Sequence, residues 1–221
     1  MNCGTGEDAL WLANKGNQVL ATDASSKMIE VARKKQVEAN YSSLHFEQAY
    51  FSDLKSNYSN KKFDLLFSNF GGLNCVDERE LKSLLQDFSE LVKPNGNMVF
   101  VFMGRKCIWE RIYYSCKGKF KSAFRRNSQS AVPAHLGNGV YLDTFYYSPS
   151  EIKRWMPNDV QIQAIKPIGI ALPPSYLENF FRTKKRLLML LQWLESFFGS
   201  FSFLSNYADH YLIHFEKKET K

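Results

Sequence analysis

The sequence lacks the features that mark metalloproteins, secreted disulfide proteins and repeat proteins. Its 221 residues include only four cysteines, with no C-x-x-C pair and no spacing typical of metal ligands: Cys3, Cys75, Cys107 and Cys116. No internal repeat is present, and no signal peptide is recognisable, because Met1 leads directly into a glycine-rich turn. We therefore expect no metal centre, no disulfide framework and a cytoplasmic location.

Long runs of one charge are also missing. The net charge is +7, from 29 basic and 22 acidic residues, but the bases are scattered, with short runs only at Lys184-Lys185-Arg186 and Lys217-Lys218. A basic balance permits an anionic partner such as nucleic acid or an anionic membrane surface, whereas scattered bases are typical of a solvated surface. Nucleic acid is therefore not the expected partner.

What the sequence has in quantity is aromatic side chains. They make up 15% of the chain, with 18 Phe and 11 Tyr, beside ordinary hydrophobic and charged contents of 44% and 23%. A chain of this length can bury a sizeable core, so we expect a single domain over residues 1–221. Either the core or a ligand pocket is expected to be rich in rings.

The most informative stretch lies at the start of the chain. The turn Asn2-Cys3-Gly4-Thr5-Gly6 opens a helical segment, and a short apolar strand at 19–22 then ends at Asp23. Glycines allow a ligand to approach the backbone closely, and the start of a helix offers unpaired N–H groups. Asp23 follows Gly4 by 19 residues, the usual separation in nucleotide-type α/β folds, and its carboxylate can accept hydrogen bonds from ribose hydroxyls. The stretch predicts a ligand that contains a ribose.

Two kinds of ribose ligand fit this stretch. Gly4-x-Gly6-x-x-Ala9 with Asp23 matches a dinucleotide fingerprint in its G-x-G-x-x-A form. Asn2-Cys3-Gly4-Thr5-Gly6 with Asp23 also resembles the first two motifs of class I S-adenosylmethionine-dependent methyltransferases. The stretch alone does not separate an NAD(P)-binding oxidoreductase from a methyltransferase.

Helices and strands alternate through residue 103. Apolar periodicity predicts helices at 7–15, from about residue 25, and at 81–92. Short apolar runs, typical of buried parallel strands, predict strands at 19–22, 44–47, 63–68 and 98–103. The alternation predicts an α/β fold with a doubly wound, mostly parallel sheet and helices on both faces.

Three later segments resemble the same methyltransferase family. Residues 63–69, with Asp64 inside the strand and Asn69 at its tip, are similar to the fourth motif, whose polar tip residue faces the methyl donor. Residues 91–98 resemble the turn before the fifth strand, with Asn95 in place of a glycine. Residues 208–215 resemble the antiparallel last strand, which dinucleotide domains lack. Their order and spacing favour a Rossmann-like methyltransferase fold with an antiparallel last strand.

The resemblance implies S-adenosylmethionine as the cofactor and assigns its contacts. The glycine turn is expected beside the methionine part, Asp23 at the ribose hydroxyls and Met28 along the adenine. The full set of implied cofactor-binding residues is Asn2, Cys3, Gly4, Thr5, Gly6, Asp23, Ala24, Met28, Tyr50, Phe51, Ser68 and Asn69.

The chain departs from the family pattern in two places. In the family a strand precedes the glycine turn, but here that strand would lie before Met1. We therefore expect a sheet that is N-terminally truncated by its first strand, with a misassigned start. The loop after strand 44–47 also carries Tyr50 where the family has an acid for the adenine amino group. Adenine recognition is left to the Phe51 backbone, to Asp53 or to packing on Tyr50.

No conspicuous catalytic residue is present. Methyl transfer is an in-line displacement that needs a placed nucleophile and the exclusion of water, and a strong base only for a protonated acceptor. Asn69, at a strand tip, and His135, beside a predicted hairpin turn, are weak catalytic candidates. His210 and His214 share one face of the last strand and are expected to be structural. The Asn-Pro-Pro-Tyr motif of amino-directed nucleic-acid and protein methylation is absent.

Two insertions, at residues 105–150 and 173–206, lie where the family builds substrate covers. The first predicts a β-hairpin around Gly137-Asn138-Gly139, and the second a leucine- and phenylalanine-rich helix after a cap at Ser175-x-x-Glu178. That helix is a lid over a small, partly apolar acceptor, a helix docked on the core, or an interfacial helix, since Lys184-Lys185-Arg186 precedes its apolar run. The last alternative implies peripheral membrane contact.

The sequence therefore predicts S-adenosylmethionine-dependent methyl transfer to an unidentified, partly apolar small molecule. One alternative is a methyltransferase-like protein whose catalysis is impaired or absent because the first strand is missing. The other is an NAD(P)-binding oxidoreductase, for which Tyr58-x-x-x-Lys62 and Tyr113-x-x-x-Lys117 fit a dehydrogenase proton-donor pair. Such pairs are expected by chance in a chain rich in Tyr and Lys.

Overall fold

A computed structural model describes residues 1–137, 139–174 and 177–219. The helices are α1 (Glu7–Asn14), α2 (Ser26–Ala39), α3 (Leu54–Asn57), α4 (Glu78–Leu91), α5 (Ile108–Cys116), α6 (Phe120–Ala123), α7 (Pro149–Trp155), α8 (Glu178–Phe181) and α9 (Lys185–Phe198). The strands are β1 (Val19–Asp23), β2 (Leu44–Gln48), β3 (Phe63–Ser68), β4 (Val92–Met103), β5 (Val132–Gly137), β6 (Val140–Thr144), β7 (Val160–Ile168) and β8 (His210–Lys217).

The strands have the topology that the alternation predicts. β1 pairs with β2 and β3 pairs with β4, both in parallel. β8 lies between β4 and β7 and runs antiparallel to both, so the second group has the order β3-β4-β8-β7. This arrangement confirms an α/β fold with an antiparallel last strand.

A cleft separates the two groups of strands. A cavity of about 1020 Å³ lies between the facing edges of β1 and β3, and the part of the chain described here places no paired strand in it. At the carboxyl end of these strands the first residues bridge the gap. The backbone nitrogen of Met1 donates to the carbonyl of Phe67 (2.8 Å), and that of Cys3 donates to the carbonyl of Thr22 (2.9 Å). The truncation of the sheet stays a prediction.

One group of the abundant rings lies in the core beneath β4 and β8, and many others are exposed. Phe100 is fully buried, with ring centroids 6.0 Å from Phe88, 6.3 Å from Phe102 and 6.4 Å from Phe215. α4 covers this core with the apolar face that its periodicity predicts, and Asp77 caps the helix by accepting from the Glu80 N–H (2.8 Å). Burial of these rings removes a large apolar area from water and holds the α4 side of the sheet rigid.

The described chain departs from the predicted elements at several boundaries. β4 already begins at Val92, with Asn95 at a positive φ of 62°, so the predicted turn lies inside the strand span. The single helix expected after Pro173-Pro174 is two helices, α8 and α9, separated at 182–184. The cap expected at Ser175 and the hairpin residue Asn138 lie outside the described residues.

The insertion after β4 is fastened to the last strand by buried charges. Glu110 on α5 accepts from Arg125 Nε (2.6 Å) and from Arg126 Nε (2.9 Å). Arg126 in turn donates to the Asp209 carboxylate (2.6 Å), which lies just before β8. Glu110 and Arg126 are almost fully buried, so this ion cluster fixes the insertion against the carboxyl end of the sheet.

Candidate cofactor site

The turn after Asn2 owes its shape to two glycines in the left-handed region. Gly4 has a φ of 52° and Gly6 a φ of 88°, and the Gly6 N–H donates to the Cys3 carbonyl (2.9 Å). A Cβ on Gly6 would lie 2.7 Å from a ring atom of Phe46, whereas a Cβ on Gly4 would meet nothing within 4 Å. The turn is thus packed against β2 on one side and open on the other, where a ligand can approach its backbone.

Asp23 joins this turn at the carboxyl end of β1. Its Oδ2 accepts from the Gly4 N–H (2.8 Å), and its Oδ1 accepts from the Ser25 N–H (2.9 Å). The carboxylate is half-buried, and an ionised carboxylate has about four acceptor positions. Two backbone bonds therefore orient the carboxylate and leave it free to accept further hydroxyl donors.

A second group of polar side chains lies at the tip of β3, next to the same turn. The Ser68 hydroxyl donates to Asn2 Oδ1 (2.5 Å), and Asn2 Nδ2 donates to the Asn69 carbonyl (2.7 Å). Asn69 Nδ2 donates to the Asp8 carboxylate (2.9 Å) in the first turn of α1. These bonds bring the predicted residues Asn2, Ser68 and Asn69 together and fix the Asn69 side chain.

The loop after Asn69 closes on Asn2. Phe70 is exposed at a positive φ of 51°, and its N–H donates to Asn69 Oδ1 (2.8 Å). Gly72 packs against the Asn2 amide so closely that a Cβ would overlap it. Only glycine at position 72 leaves the Asn2 side chain in place.

The expected adenine-side residues form a more open edge. Met28 and Tyr50 are exposed, and Phe51 is half-buried, with its ring edge-on to Phe88 at 6.3 Å. The Ala49 N–H donates to the Asp23 carbonyl (3.1 Å), so Tyr50 follows the strand next to Asp23. Ala24, between Asp23 and α2, is also exposed. The alternatives for adenine recognition remain those that the sequence leaves open.

Burial determines the protonation state of the Cys3 thiol in the turn. Loss of solvent raises the pKa of Cys3 to about 11, so the thiol is protonated at neutral pH. A protonated thiol is a poor nucleophile. The Cys3 thiol is therefore not expected to act as a nucleophile, and its neighbour Thr5 is half-buried.

Among the described residues, no hydrogen bond joins His135, His210 or His214 to this group. His135 is exposed on β5, and its ring contacts Tyr141 at a centroid distance of 5.0 Å. His210 Nδ1 lies 3.1 Å from the Asp209 carboxylate, and His214 Nε2 lies 2.7 Å from Asn97 Oδ1. The structural role expected of His210 and His214 stays a prediction.

Two residues at the site are absent from the set that the motifs imply. Asp8 accepts a hydrogen bond from Asn69, and Gly72 leaves the space that the Asn2 side chain occupies. Each has a local signal in the sequence, since Asp8 falls in the first helical turn after the glycines and Gly72 closely follows the strand tip. Asp8 and Asn69, however, are 61 residues apart in the sequence, and Gly72 is also distant from Asn2. Local sequence pattern therefore does not reveal either contact.

The first part of the chain is similar to known proteins. Residues 1–96 match the family model described as a methyltransferase domain. A malonyl-[acyl-carrier protein] O-methyltransferase of Hamiltonella defensa is 33% identical over 98 residues, which is 44% of this chain. The chain spans about a third of that relative's length (34%).

Solved structures extend the likeness to the whole fold. A SAM-dependent methyltransferase of Methanosarcina mazei matches with a TM-score of 0.64 at 16% identity, covering 99% of this chain and 91% of that one. The magnesium protoporphyrin IX methyltransferase of Synechocystis, with bound SAH, matches with a TM-score of 0.60 at 13% identity, covering 98% and 72%. Residues 1–96 are therefore similar to methyltransferase domains, and the whole chain has the Rossmann-like fold of the class I S-adenosylmethionine-dependent methyltransferases.

Proposed function

We propose that the protein is an enzyme that binds S-adenosylmethionine at the Gly4–Asp23 site and transfers its methyl group to a small, partly apolar acceptor. The observation that carries the proposal is the direct bond between the Gly4 N–H and the Asp23 carboxylate. It places an open glycine backbone and a half-buried acceptor of hydroxyl hydrogen bonds at one edge of the sheet.

The residues present suit this cofactor better than a dinucleotide. A dinucleotide places its pyrophosphate at the start of the helix after the glycine turn. Here that first turn carries two acids, Glu7 and Asp8, which repel phosphate. S-adenosylmethionine carries a sulfonium and an ammonium group instead, so carboxylates at positions 8 and 23 are favourable neighbours. This charge pattern favours the methyltransferase over the oxidoreductase.

The chain's contribution to methyl transfer is to bind, orient and exclude water. The bound cofactor supplies an electrophilic methyl group. Asp23 would hold the ribose, Gly4 and Gly6 would allow close approach of the methionine part, and Met28 would line the adenine. Asn69 is held at the tip of β3 by Asp8, and so presents a fixed polar group where the methyl is expected. No step requires a strong base from these residues when the acceptor carries its own nucleophile.

The acceptor site would lie in the segments outside the family match. Residues 105–150 and 169–209 both leave the sheet at the carboxyl end, where β4 and β7 end and β8 begins. They carry many exposed rings, among them Phe120, Phe124 and Phe180. The rings support a partly apolar acceptor, and the malonyl thioester acceptor in the relative's name is one candidate to assay.

A protein of the same fold that binds the cofactor weakly is the second candidate, and the cleft between β1 and β3 favours it. The cavity reaches Asn2 and Cys3, so part of the turn lacks a packed layer behind it. Looser support of a binding turn lowers affinity because ordering the turn then opposes binding.

Calorimetric titration separates these candidates. We expect S-adenosylmethionine and its demethylated product to bind with micromolar or tighter dissociation constants, and NADH and NADPH to give no heat of binding. Tight binding of NADH would instead establish the oxidoreductase. If none of these four compounds binds, the protein has the fold of a methyltransferase but does not bind the cofactor.

A further inference from the structure

α9 and the turn after it carry an unusually exposed set of apolar side chains. Trp193 is 63% exposed, Phe197 54% and Phe203 64%, and Phe201 is also exposed. We name the following residues the aromatic ridge: Met189, Leu190, Trp193, Phe197, Phe201 and Phe203. Single exposed rings are common on protein surfaces, but a contiguous group marks an interaction site.

The rings of the ridge touch one another. Trp193 and Phe197 stack at 6.1 Å with an interplanar angle of 13°. Phe197 lies 5.5 Å from Phe201, and Phe201 lies 6.0 Å from Phe203. The four rings of the ridge therefore form one continuous apolar surface.

The opposite face of α9 is tied to the body of the protein. The Glu195 carboxylate accepts from the N–H groups of Gly169 (2.7 Å), Ala171 (2.8 Å) and Leu172 (3.1 Å). Glu195 lies about 200° around the helix from Trp193. The three bonds thus orient the ridge outward. All residues of α9 keep part of their surface exposed, so this helix is not docked into the core.

Cations gather at the start of this helix. Arg182, Lys184, Lys185 and Arg186 are exposed, and Lys184 Nζ lies 3.2 Å from the ring centroid of Phe180. Positive charge at a helix N-terminus opposes the helix dipole, and Lys184 provides no side-chain cap. The acid within α9 is Glu195, on the inner face. An anionic surface would be attracted both by these cations and by the free N–H groups of the helix start.

We propose that the aromatic ridge and these cations bind the surface of an anionic lipid bilayer, with α9 lying in the interface. Aromatic residues and leucines on one side with adjacent Lys and Arg are the composition of interfacial helices. No helix in the described ranges is long and apolar enough to cross a membrane, so the contact is peripheral. A symmetric pair of chains is less suitable, because it would leave these cations without an anionic partner in a protein of net charge +7.

The position of α9 relative to the sheet also bears on the candidate cofactor site. The segment that bears α9 leaves the sheet after Ile168 and returns at His210, opposite Met103 at the end of β4. This is the edge at which Asp23 and Asn69 lie. Under the proposed function, a bilayer-bound chain would take an acceptor dissolved in lipid, a consequence that rests on that function whereas the lipid contact does not.

Vesicle flotation tests the lipid contact without cofactor. We expect the chain to float with phosphatidylcholine vesicles that contain phosphatidylglycerol, and weakly with pure phosphatidylcholine. Binding should fall with added salt, because the cations act over a short screened distance. Each cation near an anionic surface contributes about fivefold in partition coefficient. Lys184→Gln/Lys185→Gln/Arg186→Gln should therefore lower binding by roughly two orders of magnitude at low salt.

Matched variants distinguish vesicle binding through the aromatic ridge from nonspecific adsorption of other apolar or basic residues. Trp193→Ser/Phe197→Ser should abolish flotation, whereas Val37→Ser/Phe120→Ser, which removes two other exposed apolar residues, should not. Lys153→Gln/Arg154→Gln/Lys166→Gln removes the same charge elsewhere and should lower binding far less. Circular dichroism and cofactor titration check that each variant is folded.

Three results would overturn the proposal. The first is no flotation of the wild-type chain with anionic vesicles. The second is an equal loss of flotation in the matched controls. The third is a dimer in analytical ultracentrifugation that the Trp193→Ser/Phe197→Ser variant dissociates, because the ridge would then be an interface between copies. None of these results bears on cofactor binding.

Discussion

The backbone N–H of Gly4 donates to the Asp23 carboxylate over 2.8 Å, and this bond connects the glycine turn with the end of β1. A single carboxylate thereby shapes the turn and stays available to a ligand. Loss of its charge would disturb both the backbone of the turn and the contact expected with ribose. The site is therefore most sensitive at position 23.

Substitution of Gly72 should disturb the site through Asn2. A Cβ at position 72 would displace the Asn2 amide and break its bonds to Ser68 and Asn69. Gly72→Ala should weaken cofactor affinity several-fold in calorimetry and lower the melting temperature only slightly.

The matched control is Gly104→Ala, where the added Cβ meets its nearest atom at an ordinary 3.5 Å. Its affinity should equal that of the wild type. Equal affinities for all three proteins would show that the Asn2 bonds do not support the site.

Asn69→Asp should introduce a pH-dependent repulsion. The new carboxylate would lie within hydrogen-bond distance of Asp8, and two adjacent like charges raise the pKa of one of them. The repulsion is present when both groups are ionised and is lost as pH falls and one takes up a proton. The melting temperature of the variant, relative to wild type, should therefore recover between about pH 8 and pH 5.

Asn69→Ala serves as the comparison, since it removes the amide without adding a charge. Its melting temperature relative to wild type should show no such recovery. If the difference in melting temperature between Asn69→Asp and wild type is also independent of pH, positions 8 and 69 are not in contact.

The buried ion cluster should be a main determinant of stability. Asp209→Asn leaves Arg126 with Glu110 as its remaining charged partner, so it should cost part of the about 3–5 kcal/mol in the free energy of unfolding that breaking an isolated buried pair costs. Urea denaturation measures this. Asp64→Asn, which breaks an exposed pair with Lys93, should leave the free energy of unfolding close to that of the wild type.

The same ion cluster predicts how the free energy of unfolding changes at acid pH. Burial alone would raise the pKa of the Asp209 carboxyl, but His210 and Arg126 hold this pKa well below its usual range. A lowered pKa stabilises the fold at neutral pH, and that contribution is lost as pH falls below the ordinary carboxyl range toward the folded pKa. The difference between wild type and Asp209→Asn should therefore shrink below about pH 4. A constant difference would contradict this.

The cleft between β1 and β3 predicts a pattern of hydrogen exchange. The carbonyls of Thr22 and Phe67 point across the gap to Cys3 and Met1, so the residues two positions earlier, Leu20 and Leu65, face it as well. In the 221-residue chain, their amides should exchange much faster than those of Ala21 and Leu66, which face paired strands. Similar protection at all four positions in NMR would show that the gap is filled.

Sequence pattern predicted the part of the fold in which local and tertiary preferences agree. The strands β1, β2 and β3 and the helix α4 follow from apolar periodicity, and their positions agree within a few residues. The meeting of Gly4 and Asp23 follows from the order turn-helix-strand and from their separation of 19 residues, which is usual in nucleotide-type α/β folds.

What the pattern could not show depends on contacts between distant residues. Arg126 and Asp209 are 83 residues apart, and nothing local to either indicates a buried pair. The apolar periodicity of α9 runs through Leu188, Leu191, Leu194 and Phe198, which are half-buried, but it does not account for the exposed rings on the other face. The three bonds of Glu195 decide in the structure which face is turned outward. The break before α9 contains neither proline nor glycine and gives no local signal.

Calorimetric titration of the Asp23→Asn variant with S-adenosylmethionine is the most direct test of the central claim. Charge-assisted hydrogen bonds are each worth roughly 1.5–3 kcal/mol, so affinity should fall roughly 10- to 100-fold, while Asp159→Asn, an exposed carboxylate far along the chain, should bind as the wild type does. Wild-type affinity in a folded Asp23→Asn variant would contradict the assignment of the ribose to Asp23, and with it the proposed cofactor site.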